Sequence, residues 1–146
     1  MEQWELVARE SIRDLVARYN ANGDSGRFDQ VVALFAPDAV MDVGGVVVRG
    51  HDEIRAIFTS VQTDLTGRAQ PTSLHHHTAT LQIDVIDPST ATARCYFEVL
   101  MAHGLDHWGR YLDEFGVVDG AWRFTRRRVI TDGATPGGWA ASLPPG

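Results

Sequence analysis

The sequence predicts one α+β domain in which N-terminal helices pack on one face of a curved antiparallel sheet. In the first half of the 146-residue chain apolar residues recur at helical spacing, whereas after about residue 74 they alternate at strand spacing. Two pairs typical of hairpin turns, Gly44-Gly45 and Asp119-Gly120, separate strand candidates. Helices followed by a strand meander are typical of α+β domains. The open end of a sheet curved around helices forms a natural cavity.

Three helices are predicted in the first half of the chain. The first spans about Trp4 to Tyr19, because its apolar residues lie three or four positions apart, and it ends in the Asn- and Gly-rich segment 20–26. A short second helix takes its apolar side from the segment Phe28 to Phe35 and stops at Pro37. A third helix runs from about His51 to Gln62, with acidic residues in its first turn, where the helix dipole favours them.

Alternation and turn residues predict the strands of the second half. The polar segment 63–73 is expected to be a loop. We divide the chain into one domain, 1–132, and a Gly- and Pro-rich C-terminal tail, 133–146, which is either disordered or laid across a surface. Trp139 in this tail looks exposed, and its candidate contacts are the cavity mouth and a second subunit. The predicted strands are Ala39–Val43, Val46–Arg49, a first long strand that His75 opens and that Asp87-Pro88-Ser89 ends, Ala91–Met101, Trp108–Val118 and Ala121–Thr131.

Charge and composition narrow the class of protein. Thirteen Lys and Arg residues against nineteen Asp and Glu residues give a net charge of −6, which disfavours binding to nucleic acid. No stretch reaches the ~18–20 apolar residues of a membrane helix, and the acidic first ten residues do not resemble a signal peptide. Cys95 is the single cysteine and is expected to be a small buried residue. We therefore expect a cytoplasmic protein that binds neither nucleic acid nor membrane.

A candidate acid–base site lies where the helical half meets the strand half. Tyr19 ends the first helix, Asp24 follows five residues later, and His75-His76-His77 opens the first long strand. A carboxylate beside an imidazole forms a general base, because the carboxylate fixes the tautomer of the imidazole and stabilises its protonated form. A phenol supplies a proton donor for an oxyanion or a departing hydroxyl.

Two later strands carry further candidates. Tyr111 and Asp113 share one face of their strand, and Arg126-Arg127-Arg128 lies in the last strand. Arg127 is a candidate for facing the cavity, where it would bind an oxyanion or a carboxylate. Asp113 has two candidate roles, which are to hold Arg127 or Tyr111 in place or to act chemically.

The histidine run leaves the direction of its side chains open. Strict alternation places His76 with the polar residues of its strand and His77 with the apolar ones. A β-bulge at the start of the strand, or a cavity lined by the polar face, would reconcile His76 with a site. A shared metal ion is disfavoured, because only His75 and His77 share a face and no further ligand accompanies them at metal-binding spacing. We expect neither a metal nor a cofactor.

Several short motifs follow one another along the chain in an order that is typical of one protein family. They are Ile12-Arg13-Asp14-Leu15 before Tyr19 and Asp24, Phe28-Asp29, Leu34-Phe35-Ala36-Pro37-Asp38-Ala39-Val40, Val48-Arg49-Gly50-His51-Asp52-Glu53-Ile54, His76-His77, and Asp119-Gly120-Ala121-Trp122-Arg123-Phe124. In this order they resemble the SnoaL-like branch of the nuclear transport factor 2-like superfamily. That superfamily includes scytalone dehydratase, bile-acid 7α-dehydratase, hexachlorocyclohexane dehydrochlorinase and ketosteroid isomerase. The resemblance covers about Ile12 to Thr131.

The resemblance implies a cone-shaped α+β barrel with a deep apolar cavity, usually dimeric through its sheet. In the cofactor-free dehydratases, a tyrosine ending the first helix, an aspartate five residues on and a histidine entering the first long strand form the site. These positions match Tyr19, Asp24 and His76. The histidine lies seven residues before an apolar strand residue, here Ile83, which distinguishes His76 from its neighbours. Tyr111-Leu112-Asp113 is similar to a tyrosine-x-aspartate motif that SnoaL-like members often carry.

The sequence also departs from individual relatives. Val99 stands where the bile-acid dehydratases place an acid, and Thr131 stands where they place an arginine. The second histidine of scytalone dehydratase has no clear match, although His103 and His107 lie close by. The substrates of those relatives are therefore not assumed.

The leading hypothesis is a cofactor-independent lyase or isomerase, most simply a dehydratase, that acts on a small apolar hydroxy-carbonyl compound of polyketide, steroid or terpenoid type. Asp24 and His76 would be the acid–base unit, and Tyr19, with Tyr111, would donate to the oxyanion or to the departing hydroxyl. One alternative is a non-catalytic small-molecule-binding or assembly domain on the same fold. Another is a polyketide cyclase or epoxide hydrolase that uses the same residues. The expected partners are the small substrate and a second copy of the chain.

Overall fold

Three helices occupy the first half of the chain, in the predicted order. The computed structural model describes residues 1–68 and 73–143. Part of the predicted loop, residues 69–72, and the end of the tail, residues 144–146, lie outside the described residues. Within the described ranges, no helix has both the length and the apolar character needed to cross a membrane. The helices are α1 Gln3–Asp24, α2 Phe28–Val32 and α3 Gly50–Thr66.

Six strands form one curved sheet that is not closed into a barrel, which confirms the predicted α+β class. The strands are β1 Phe35–Val43, β2 Val46–Arg49, β3 His75–Asp87, β4 Thr90–Met101, β5 Gly104–Val118 and β6 Ala121–Ala134. Their order across the sheet is β2-β1-β6-β5-β4-β3. The meander from β3 to β6 is antiparallel, as predicted. In contrast, β1 runs parallel to β6, so the sheet is mixed.

The first helix extends beyond its predicted end. It continues past Tyr19 through an Asn- and Gly-containing turn that we expected to be irregular. Asn20 is buried in that turn, and a Cβ built on Gly23 would lie 3.3 Å from the ring of Phe58 on α3. The helix ends therefore pack closely, and this packing outweighs the weak helix propensity of Asn and Gly.

The prediction that Phe35 belongs to the second helix and that Pro37 ends it is wrong. The helix ends at Val32, and both residues lie in β1. The pairing of β1 with β6 shifts register between Phe35 and Val40, so Pro37 lies where the ladder is interrupted and its missing N–H is tolerated. Phe35 stacks on Phe124 of β6 with ring centroids 5.0 Å apart. Phe35 therefore packs in the core as a residue of β1 and not as part of the second helix.

A β-bulge in the middle of β3 changes which side chains face the core. The pairing with β4 shifts register within Ala79–Gln82, where Thr80 adopts a left-handed φ of 57°. Before the bulge, His76 pairs with the buried Val99; after it, Ile83 is the buried residue. Even and odd positions exchange faces at the bulge. A bulge is one of the two arrangements that would reconcile His76 with a site, and it lies in the middle of the strand and not at its start.

The C-terminal residues pack between α3 and β5. After Ala134 the chain reaches a short 3₁₀ turn at Ala140–Ser142. Trp139, which we expected to be exposed, is buried. Its backbone N–H donates to the Asp106 carboxylate on β5 at 2.6 Å, and its indole N–H donates to Asp64 Oδ2 on α3 at 2.6 Å. Hydrogen bonds to α3 and to β5 therefore fasten this segment across the molecule.

Candidate active site

A cavity of about 830 Å³ lies between the helices and the sheet. Its apolar lining includes Phe28, Met41, Ile57, Phe58, Val61, Leu65, Phe97 and Trp139. The polar side chains among its lining residues include Tyr19, Asn20, Asp24, His76, His107 and Tyr111. An apolar cavity with a few polar groups is the usual form of a small-molecule site.

The structure brings together two of the predicted site residues, Asp24 and His76. Asp24 Oδ1 lies 2.6 Å from His76 Nδ1, and Asp24 Oδ2 accepts the backbone N–H of His76 at 2.8 Å. An ionised carboxylate can only accept hydrogen bonds, so Nδ1 carries the ring proton. This leaves Nε2 of His76 as the nitrogen available to a ligand. The end of α1 and the start of β3 hold the pair in place.

The other two histidines of the run do not share this site. His75 and His77 are exposed and lie on the opposite face of β3 from His76. Among residues 1–68 and 73–143, no group of three His, Cys, Asp or Glu side chains is placed to hold a metal ion.

Tyr19 lies deeper in the core than Asp24 and still lines the cavity. Its ring meets those of Phe35 and Phe58 edge-on, with centroids 6.1 and 5.6 Å away. Burial raises the pKa of Tyr19 to about 12, although the positive charge of Arg127 opposes the shift. The phenol therefore keeps its proton at neutral pH and can act as a hydrogen-bond donor.

Arg127 and Asp113 form a buried ion pair behind the two phenols. Two hydrogen bonds of 2.7 and 2.8 Å join the guanidinium to the carboxylate, and neither side chain is exposed. The guanidinium lies over the rings of Tyr19 and Tyr111, at 4.1 and 3.8 Å from their centroids. Arg127 points inward, but within the described chain neither partner of the pair lines the cavity. Arg127 and Asp113 therefore lie behind Tyr19 and Tyr111 and help to hold these phenols in place.

Tyr111 connects the sheet to α1. Its hydroxyl donates to Asn20 Oδ1 at 3.4 Å, and its ring stacks on Phe97 with centroids 4.7 Å apart. Burial raises the pKa of Tyr111 well above its ordinary value. Like Tyr19, it is a protonated phenol in the cavity wall.

A second carboxylate–imidazole pair, which the sequence analysis did not assign, lies on the same cavity. His107 Nδ1 is 2.7 Å from Asp106 Oδ2, and the rings of His107 and His76 are perpendicular with centroids 6.4 Å apart. Burial lowers the pKa of His107, although Asp106 opposes the shift. The imidazole is therefore neutral at neutral pH, and because Nδ1 donates to Asp106, Nε2 carries no proton and can accept a hydrogen bond. In the sequence, His103 lies three residues before Asp106 and His107 one residue after it. This spacing was the signal that could have indicated the pair.

Asp106 also joins this histidine to the C-terminal segment. Its fully buried carboxylate accepts hydrogen bonds from His103, His107 and the backbone N–H groups of Trp139 and Ala140. Burial alone would raise the pKa of Asp106, but these hydrogen bonds hold it below its usual value. The carboxylate is therefore ionised at neutral pH.

A helix-covered, open and curved sheet around an apolar cavity defines the class of the protein as an α+β domain with a cystatin-like fold. Residues 4–128 match the family model of the SnoaL-like domain, and the chain belongs to this family within the nuclear transport factor 2-like superfamily. No curated protein matches the chain.

Solved structures with similar folds include enzymes and proteins of unknown function. A protein provisionally named a scytalone dehydratase, from Novosphingobium aromaticivorans, is 22% identical over 92% of this chain and 91% of that chain, with a TM-score of 0.79. Hexachlorocyclohexane dehydrochlorinase LinA-type3 from Novosphingobium barchaimii is 17% identical over 97% and 98%, with a TM-score of 0.78. A variant of Rv3472 from Mycobacterium tuberculosis, of unknown function, is 26% identical over 88% and 73%, with a TM-score of 0.72.

Proposed function

We propose that this protein is a cofactor-independent acid–base lyase or isomerase, most simply a dehydratase for a small apolar hydroxy-carbonyl compound. The observation that carries the proposal is the 2.6 Å hydrogen bond between Asp24 Oδ1 and His76 Nδ1 in the wall of an apolar cavity. A non-catalytic binding domain has no need of this paired arrangement. The names of the dehydratase and dehydrochlorinase neighbours both describe elimination reactions, which supports the same reaction class.

In the proposed reaction His76 is the general base. Its Nε2 takes a proton from the carbon next to the carbonyl, while Asp24 stabilises the imidazolium that results. The electron pair of the broken C–H bond forms the new carbon–carbon double bond, and the C–O bond of the hydroxyl breaks. The hydroxyl takes a proton from a phenol and leaves as water. The imidazolium then returns its proton to the phenolate through solvent.

The phenols and the second imidazole bind the substrate oxygens in this scheme. Tyr19, whose pKa burial raises to about 12, donates to the developing oxyanion or to the departing hydroxyl, and Tyr111 assists it. Burial keeps His107 neutral by lowering its pKa, so its Nε2 accepts the O–H of the substrate hydroxyl. Elimination of water is favoured because a base and proton donors line one cavity.

Dehydration of β-hydroxy ketones of steroid, polyketide and terpenoid type tests the proposal, with the new enone followed by absorbance. Asp24→Asn and His76→Ala should each lower kcat/KM by about 10²–10⁴-fold, the usual contribution of an acid–base group. His77→Ala removes an exposed neighbouring imidazole and is the matched control, which should keep the wild-type rate. Full activity in both site variants would show that the assignment is wrong.

We also propose that two copies of the chain associate through the outer face of the sheet. Tyr96, Leu100 and Trp108 are exposed on β4 and β5, on the face turned away from the helices. Glu98 lies opposite Trp108 in the ladder, which places these side chains on one face of adjacent strands. Apolar clusters of this kind mark contact surfaces more often than isolated exposed residues do.

A further inference from the structure

An extra residue in β5 brings a carboxylate beside the second imidazole of the cavity. In the ladder with β4, Val99 pairs with His107 and Leu100 pairs with Leu105, so Asp106 is the added residue of a β-bulge. Neighbouring side chains of a regular strand point to opposite faces, but Asp106 and His107 are both buried. The bulge therefore lets the Asp106 carboxylate reach the ring of its neighbour, with Oδ2 2.7 Å from His107 Nδ1.

Four donors hold the Asp106 carboxylate in one orientation. Oδ2 accepts from His107 Nδ1 and, at 3.1 Å, from the backbone N–H of Ala140. Oδ1 accepts from the backbone N–H of Trp139 at 2.6 Å and from His103 Nε2 at 2.8 Å. Because Asp106 is fully buried, no hydrogen bond to bulk water competes with these four.

The C-terminal segment fits closely around this carboxylate. A Cβ built on Gly138 would lie 2.5 Å from Asp106 Oδ1, so glycine at this position permits the close approach of the backbone. The next residue, Trp139, is fastened to α3 by the hydrogen bond from its indole to Asp64. The segment therefore supplies its two backbone donors from a fixed position, and these donors orient the carboxylate.

The second ring nitrogen of His107, Nε2, is open to the cavity. Within residues 1–68 and 73–143 it has no hydrogen-bond partner, and it is not one of the buried side-chain nitrogens that lack a partner. It therefore keeps accessible surface, and His107 lines the cavity. The rings of Phe97 and Trp139 surround the imidazole, with centroids 6.0 and 5.9 Å away. A ligand atom at Nε2 would thus lie in apolar surroundings.

We propose that Asp106, held by the C-terminal segment, is the positioning residue of His107: it keeps the imidazole proton on Nδ1 and presents an unprotonated Nε2 to the ligand. A neutral imidazole carries one proton, and the hydrogen bond at one nitrogen decides which of the two carries it. The proposal rests on the proposed function in one respect, since that function gives Nε2 the O–H of the substrate hydroxyl to accept. Asp106 is not among the described residues that line the cavity, so it acts only through His107.

Asp106→Asn tests the proposal by reversing one hydrogen bond. The amide oxygen should stay on the N–H of Trp139, which makes the shorter of the two backbone hydrogen bonds, and the NH₂ group then points toward His107 Nδ1. Nδ1 becomes the acceptor, so the proton moves to Nε2. Proton–nitrogen NMR correlation spectra of the imidazoles at neutral pH should show a protonated Nδ1 in the wild type and a protonated Nε2 in the variant. Signals that disappear in His107→Gln identify this ring.

His103→Ala is the matched control for the tautomer, because it removes one donor from the same carboxylate and leaves the carboxylate itself. In this variant the proton of His107 should stay on Nδ1. A protonated Nε2 in the wild type overturns the proposal, as does the same tautomer in the wild type and Asp106→Asn, or a reversal in His103→Ala. The wild-type spectrum needs no variant, so it still tests the proposal if Asp106→Asn does not fold.

Activity distinguishes a failure of this inference from a failure of the proposed function. In the dehydration assay Asp106→Asn should lower kcat/KM about 10- to 100-fold, because Nε2 no longer accepts the substrate O–H and becomes a buried donor without its partner. Asp14→Asn, the same substitution on the exposed side of α1, should keep the wild-type rate. Unchanged kcat/KM in an Asp106→Asn protein whose tautomer is reversed would overturn the positioning role.

The two failures then give different results. A protein that dehydrates no substrate, but in which Asp106→Asn reverses the tautomer of His107, would contradict the proposed function alone. Dehydration by a wild-type protein that carries the proton on His107 Nε2 would contradict the role of Asp106 alone.

Discussion

At the residue scale, the environment of His107 sets the charge that this imidazole carries. Its ring packs against Phe97 and Trp139, and burial lowers its pKa because the charged form loses its hydration. The hydrogen bond to Asp106 opposes the shift and His76 adds to it, but burial is the largest cause. The folded protein therefore holds His107 neutral more strongly than the unfolded chain does.

This pKa difference links stability to pH. As the pH falls through about 6.5, the unfolded chain binds a proton at residue 107 before the folded protein does, so the free energy of unfolding decreases. Asp106, whose folded pKa lies below 3.8, keeps its contribution in this range and loses it only in stronger acid. Since Gln does not titrate, His107→Gln should lose less stability than wild type between about pH 7 and pH 5. Urea unfolding at the two pH values measures the difference.

The control for this effect replaces a histidine that lies outside the core. His77 is exposed on β3, and His77→Gln should show the same loss of stability as the wild-type protein. An equal loss in His107→Gln and wild type would contradict the account, because the titration of residue 107 would then contribute nothing.

The sequence located some of these residues and not others for a physical reason. Asp24 and His76 could be singled out because the resemblance to the SnoaL-like family assigns these positions, whereas spacing alone placed them only near the end of a helix and the start of a strand. The partners of Asp106 could not, because the N–H group of Trp139 lies 33 residues away along the chain and meets the carboxylate only in the folded protein. Hydrogen bonds to the backbone leave no pattern in side-chain spacing.

At the element scale, the bulge in β3 decides whether His76 faces the cavity. A regular strand would place His76 and Ile83 on opposite faces, because they are an odd number of residues apart. The sequence therefore contained a conflict between alternation and the expected site, and either a bulge at the start of the strand or a cavity lined by the polar face would have resolved it. It could not place the bulge at Thr80, because a β-branched residue is among the least favourable for the left-handed region. Tertiary pairing with β4 overrides that local preference.

Strain at Thr80 gives a stability prediction. A left-handed conformation costs a residue other than Gly about 1–2 kcal/mol, whereas Gly in a strand costs about 0.5–1 kcal/mol. Thr80→Gly should therefore stabilise the protein by about 0.5–1 kcal/mol in urea unfolding. Thr78→Gly, in the regular part of the same strand, is the matched control and should destabilise by about 0.5–1 kcal/mol. Equal destabilisation by the two changes would show that Thr80 is not strained.

The start of β1 is a second feature at this scale that the sequence could not predict. The segment from Phe28 to Phe35 has apolar residues at spacings that suit a helix, and the chain uses only part of it as one. Short apolar runs do not distinguish helix from strand by period alone. The stacking of Phe35 on Phe124 depends on β6, a segment about 90 residues later, so local spacing could not reveal it.

At the scale of the whole molecule, the change of period from helical to alternating was enough to predict the α+β class. The antiparallel meander followed from turns between neighbouring strands, which are local signals. The parallel pairing of β1 with β6 did not, because it joins strands from opposite halves of the chain with no connecting turn. That pairing places the aromatic residues of β1 and β6 together behind Tyr19, and it thereby shapes the cavity.

At this scale we predict the effect of a charge placed on the outer face of the sheet, where the proposed homodimer contact lies. Tyr96 is 57% exposed there and lies opposite Arg110 in the ladder, so the face combines apolar and charged groups as subunit contacts do. If this face forms the proposed homodimer, sedimentation equilibrium of the wild-type chain should give twice its 16.1 kDa mass. Tyr96→Glu should reduce the mass to that of one chain, because it places an unpaired charge in the contact.

A matched change on the opposite side of the molecule completes the test. Leu6 is 54% exposed on α1, and Leu6→Glu adds the same charge away from the outer face of the sheet. This variant should remain dimeric. A monomeric wild-type protein at tens of micromolar would contradict the dimer, whereas dissociation by Leu6→Glu but not by Tyr96→Glu would assign the contact to the helical side. The cavity lies between the helices and the inner face of the sheet, so a dimer through the outer face would leave the site of each subunit independent. Tyr96→Glu should therefore change association without changing kcat/KM for the proposed dehydration.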